Sequence, residues 1–207
     1  MTAIVDLDPP ARQLTQLLNG VTDDQLSAST PCEEYTVADL LEHISGFAIA
    51  FRNAATKTTG AVDPPAGGAS PDTVSGAGLH PDWRSRIPRQ LDDLVAAWRV
   101  PSAWEGMTEA GGVTLPAEMM GRVALNELVL HGWDLARGTG QSFECDPTSA
   151  EACYELIQAA TAPGEGAPEG LFGPAVEVAS DAPLFDRVLG LGGRDPSWTA
   201  ATHSSSS

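Results

Sequence analysis

Glu127 and His131 stand four residues apart in the run 119–138, MMGRVALNELVLHGWDLARG. In a helix that spacing is one turn, so a carboxylate and an imidazole project from the same face. Ala124, Leu128 and Leu135 share that face, and Val123 and Leu130 flank it. An ionisable pair in an apolar stripe is costly to bury unless its charge and hydrogen-bonding needs are met. A divalent cation meets both, because Glu oxygen and His nitrogen are metal ligands. The chemistry then depends on whether a third donor joins them.

Of the four histidines, His43 is the candidate third donor. It lies one turn before Phe47, at the edge of an apolar face made by Leu40, Leu41, Ile44, Phe47, Ala48 and Phe51. Three protein donors with a fourth position left open is the pattern of catalytic rather than structural zinc. Spacing alone keeps the other reading open, in which these are ordinary core or surface side chains. Asp134, three residues after His131, reads either as the acceptor behind the imidazole or as a solvated acid near a helix end. Arg122 is displaced from the Glu127 face and is expected at the surface. Cys32 is expected to pack in a turn, His80 to be solvated, and Trp83, Trp98 and Trp104 to fill core or interface. No phosphate-binding glycine loop, Ser/His/Asp set or GxGxxG fingerprint is present.

The elements that must position these residues are helices. Apolar spacing predicts one over 9–18, a short turn over 22–26, and a long one from Asp39 in the run that ends FRNAATK, with Thr36 and Asp39 as a near capping box. Another opens at Asp82-Trp83 and stops before Pro101. A connection over 105–115 leads to Pro116, a suitable first-turn residue, and the long apolar helix follows to about Arg137. A fifth helix is expected over 148–160. Residues 60–81, rich in Gly, Pro, Ala and Ser, read as a long loop. Beyond Ala162 the chain is punctuated by Pro and Gly, with a strand-like run at 175–178 and a short helix at 183–191. The expected organisation is an all-α four-helix bundle over 1–162 and a C-terminal extension over 163–207 that wraps it and ends in disorder.

Composition narrows the function classes. A net charge of −17 argues against nucleic acid, which needs Lys/Arg clusters. Hydrophobic content of 42% and charged content of 19% suit a globular chain. No run approaches the roughly 18 apolar residues of a membrane helix, and the start MTAIVDLDPP lacks the features of a signal peptide. Three cysteines, Cys32, Cys145 and Cys153, without a CxxC pattern read as reduced thiols. A cytoplasmic protein without membrane or nucleic-acid partners is expected, with a homodimer kept open.

Two blocks add a resemblance. TPCEEYTVADLLEHISG carries Thr30, Pro31, Cys32, Tyr35, Thr36, Val37, Asp39, Leu40 and His43. The second block carries Glu127, Leu128, His131, Trp133, Asp134, Leu135, Ala136, Gly138 and Gly140. Together they resemble the mycothiol-dependent maleylpyruvate isomerase N-terminal family, a branch of the DinB-like metal-binding four-helix bundles. The run LFDRVLGLGGRDPSW resembles the end of its short actinobacterial-type members. The resemblance implies a divalent ion, commonly zinc with nickel as the alternative, held by His43, Glu127 and His131. It also implies mycothiol or a similar low-molecular-weight thiol as cosubstrate. A thiol entering the open position loses its proton, so a thiolate can attack a small electrophile for S-transfer or add to a double bond for isomerisation. The family's maleylpyruvate isomerases have a longer C-terminal domain that contributes a basic residue to substrate binding. Here roughly 45 residues follow Ala162, and their basic residues Arg187 and Arg194 receive no role. The expectation is therefore the broader thiol transferase or isomerase. A non-catalytic ligand- or partner-binding bundle and a metal-dependent hydrolase are the rivals.

Overall fold

Helix starts in this chain are set by caps and prolines. The computed structural model describes residues 4–33, 35–58, 78–161 and 174–200. Helix α1, Asp8–Gly20, opens on two prolines with Asp8 in its first turn and buries Ala11, Leu14, Leu17 and Leu18. Helix α2, Val37–Thr56, opens on a capping box: Thr36 Oγ1 accepts from the Asp39 backbone N–H, and the Asp39 carboxylate accepts from that of Thr36. Helices α3, Trp83–Trp98, and α4, Ala117–Gly138, complete the set, with Pro116 capping α4. Short 3-10 turns occupy Asp23–Gln25 and Pro101–Trp104. Helix α5, Pro147–Thr161, and helix α6, Leu184–Leu191, follow.

α2 packs on α3 and α4, and α1 packs on the same two helices. This is the helical bundle expected from the sequence. Its core buries Leu14, Leu40, Leu41, Ile44, Ile87, Leu91, Leu94, Leu128 and Leu135, and each fully buried aliphatic contributes about 1.5–3 kcal/mol of transfer free energy. Trp98 and Trp104 close one end edge to face, their indole N–H groups donating to Phe51 O and Trp98 O. None of the described helices is long and apolar enough to cross a membrane.

The connection over 105–115 is not a plain loop. It holds strands β1, Met107–Ala110, and β2, Val113–Pro116, paired antiparallel. Gly111 and Gly112 form the two-residue turn, with φ of 57° and 79°, the left-handed values such a hairpin turn demands. The strand-like run at 175–178 has no strand partner among the described residues; its Val176 N–H donates instead to Gly190 O at the end of α6. Most of the expected loop over 60–81 lies outside the described residues.

After α5 the chain does more than cover the bundle. Val188 and Leu189 of α6 enter a second apolar cluster with Leu125, Val129, Leu130 and Trp133 of α4 and Ala152, Cys153 and Ile157 of α5. Helix α4 is therefore shared, with one face toward the bundle and the other toward α5 and α6.

Candidate metal centre

The two middle helices of the site begin and end tightly. The Thr36 capping box places His43 two turns into α2. At the other end of α4, Gly138 lets the Ser29–Thr30 backbone approach, since a Cβ there would sit 3.2 Å from Ser29 O. On α4, Glu127, His131 and Asp134 follow at helical spacing and line one face.

His43 Nε2, Glu127 Oε2 and His131 Nε2 converge, with the Glu127 oxygen 3.4 Å from His43 and 3.2 Å from His131. One ligand atom from each lies within 4.8 Å of the others. Among the described residues no other three His, Cys, Asp or Glu side chains cluster this way. Tyr35 and Phe47 flank the His43 ring at 5.4 and 5.7 Å, and Phe47 stacks on His131 at 6.1 Å. The three are not buried equally: Glu127 and His43 are each 23% exposed, against 8% for His131.

Behind His131 the site is closed. Asp134 is wholly buried, and its Oδ2 accepts from His131 Nδ1 at 3.0 Å. The reading of Asp134 as a solvated acid therefore does not hold. Its other partner is Arg194, whose Nη2 donates to Oδ2 at 2.9 Å and whose Nε lies 3.4 Å from Oδ1. Arg194 was given no role from sequence, and no local pattern links it to a residue 60 positions away. Arg122 also departs from expectation: it is only 12% exposed and pairs with Glu155, tying α4 to α5. His80 caps the entry to α3, its Nδ1 accepting from the Asp82 N–H. Cys32 sits half-buried in a turn closed by Thr30, whose hydroxyl donates to the carbonyls of Cys32 and Tyr35. Burial, with Asp146 nearby, pushes the Cys145 thiol up to about 12, so it is no nucleophile at neutral pH.

Burial by itself disfavours the charged forms here, and the neighbours outweigh it. Glu127, between two imidazoles, is held well below the usual carboxylate range by His131 and His43. Asp134 is held low by Arg194 and His131. His131, with a carboxylate at each nitrogen, is raised to about 9. A proton on His131 thus supplies positive charge that the carboxylates favour, and a cation can replace it. The donor set fits a divalent metal: two nitrogens and an oxygen face one point, and Asp134 occupies Nδ1 so that Nε2 is turned inward.

Comparisons with known proteins agree with this architecture. The family model described as the mycothiol maleylpyruvate isomerase N-terminal domain matches residues 7–136, a span holding His43, Glu127, His131 and Asp134. Two uncharacterised Mycobacterium tuberculosis proteins, one from each of two strains, are each 28% identical over 189 residues, covering 86% of this chain and 90% of the relative. Crystal structures of the mycothiol-dependent maleylpyruvate isomerase and of a histidine-to-alanine mutant share the fold, at TM-scores of 0.57 and 0.56 and identities of 22% and 21%. Each of these alignments covers 76% of this chain and 72% of the solved one. On the extent of the family match, this chain belongs to the mycothiol maleylpyruvate isomerase N-terminal domain family.

Proposed function

We propose that the protein is a divalent-metal-dependent enzyme that uses a low-molecular-weight thiol of the mycothiol type to isomerise, or transfer sulfur to, a small electrophile. The observation that carries this reading is the convergence of His43, Glu127 and His131 at a site closed behind and partly open in front. Zinc is the preferred ion and nickel the alternative, because the donor set is imidazole and carboxylate. The ion, when bound, acidifies a coordinated thiol and makes it nucleophilic at neutral pH.

The chain's own residues do the rest. His43, Glu127 and His131 hold the cation. Asp134 fixes the His131 tautomer by accepting from Nδ1. Tyr35 borders the His43 ring on the exposed side, and Phe47 packs against both imidazoles from the core. Family membership and fold support the thiol, and the maleylpyruvate isomerase fold-mates make isomerisation the favoured outcome.

Elemental analysis after zinc or nickel loading, with His131→Ala as control, tests the centre. Bound metal near one per chain, lost in the variant, supports it; absence of metal removes it. Product formation from a panel of electrophiles, with and without a low-molecular-weight thiol, tests the chemistry. Turnover that needs both metal and thiol is expected, with the thiol regenerated in isomerisation and consumed in S-transfer. Loaded protein inert with every thiol favours a binding protein, and product formed without thiol favours a hydrolase.

A further inference from the structure

We infer that Arg194, from the segment after α6, is a positioning residue for the metal centre, acting on His131 through Asp134 and making metal affinity depend on the docked C-terminal segment. This rests on the proposed centre and extends it beyond the span that the family model matches.

The geometry builds Arg194 into place. Helix α6 ends at Leu191, and Gly193, with φ of 80°, turns the chain back toward α4. The Arg194 backbone N–H donates to Leu189 O at 2.8 Å, and Nη1 donates to Gly192 O at 2.7 Å. The remaining guanidinium edge meets both oxygens of Asp134. The side chain is 14% exposed and its partner carboxylate 0%. An unbroken line of contacts therefore runs from Arg194 to Asp134, to His131 Nδ1, and through the ring to Nε2 in the cluster.

Docking of this segment does not need that pair. Val188 and Leu189 already anchor α6 in the apolar cluster, Arg187 donates to the Tyr154 hydroxyl, and Arg137 donates to Trp198 O. A buried ion pair is in general a weak contributor to stability, because desolvation offsets its attraction. What the pair does supply is a fixed, fully charged acceptor behind a ligand imidazole. Without Arg194, Asp134 Oδ1 loses the hydrogen bond it has in this structure, and a buried carboxylate so exposed to desolvation is free to rotate away from Nδ1. Partners behind ligand histidines are worth about 10- to 100-fold in metal affinity.

The test is a double-mutant cycle read as zinc affinity, by calorimetric titration of the full chain. The variants are Arg194→Ala, Asp134→Asn, and both together. Arg194→Ala is expected to weaken zinc binding about 10-fold or more. In the Asp134→Asn background the same change is expected to have little further effect, because the route through the carboxylate is already broken. Arg194→Lys, which keeps a charge but not the two-point contact, is expected to recover part of the affinity and guards against misfolding of the alanine variant. Zinc affinity unchanged in folded Arg194→Ala overturns the inference, as does an equal loss on both Asp134 backgrounds; where the alanine variant does not fold, an Arg194→Lys loss that is the same on both backgrounds overturns it. Wild-type protein that binds no zinc overturns the metal centre itself, a result distinct from either.

Discussion

The front and the back of the cluster are built differently. In front, His43 and Glu127 keep about a quarter of their side-chain surface exposed, and Tyr35 borders the His43 ring. Behind, His131, Asp134 and Arg194 form a nearly closed line of charges linked by hydrogen bonds. The front is the side that solvent reaches; the back is held by buried, mutually paired charges. A site that must hold an ion and exchange its other ligands needs both. Here α2 supplies the exposed histidine and α4 both the exposed carboxylate and the fixed histidine.

The largest effect should come from removing the fixed ligand. His131→Ala is expected to weaken zinc binding by about 3–4 kcal/mol, several hundredfold or more, if each ligand of a zinc site carries a comparable share. Titration calorimetry on the variant checks it, and activity should vanish with the metal. Asp134→Asn is next. It leaves Arg194 without its counter-charge and should cost about 3 kcal/mol of folding stability, measured by urea unfolding. Phe47→Leu, a core change against both imidazoles, should cost less, about 1–2 kcal/mol of stability in the same urea assay.

The pH dependence of metal-free protein separates the two sides further. His131 is raised from 6.5 to about 9, so its stabilising contribution is complete below pH 6.5 and lost as pH rises through about 9. Glu127 and Asp134 are lowered, so theirs is complete above about pH 4.5 and lost as the solution becomes more acidic. For these groups the melting temperature of metal-free protein should peak between about pH 4.5 and 6.5, with about 2–3 kcal/mol lost by pH 9. Metal-free His131→Ala should lose the alkaline part of that profile. The smallest effect is at the start of α2. Thr36→Ala removes the acceptor for the Asp39 N–H and should cost about 1 kcal/mol, seen as a drop of a few degrees in Tm.

The cluster is far more legible in sequence than the arginine that closes it from behind. Glu127 and His131 are a candidate pair by one-turn spacing and His43 by its place on an amphipathic helix with a readable cap at Thr36 and Asp39, and the two motif blocks join them into one ligand set. Those are local signals, and the helices they predict form. Arg194 gives no such signal, because its partner is distant in sequence and only the turn at Gly193 brings them together. Arg122 misled for a related reason: helical spacing placed it off the Glu127 face, but α4 is covered on that other face by α5. The hairpin over 107–116 did carry a signal, Gly111-Gly112 between short alternating runs. Strands of four residues are too short for that alternation to stand out against a loop.

The central claim is that α2 and α4 hold one divalent ion between them. Anomalous diffraction at the zinc absorption edge, on crystals of zinc-loaded protein, tests it most directly. The account predicts one strong peak per chain within bonding distance of His43 Nε2, a Glu127 carboxylate oxygen and His131 Nε2. A peak elsewhere, or none with Glu127 still bonded between the two imidazoles, would contradict it.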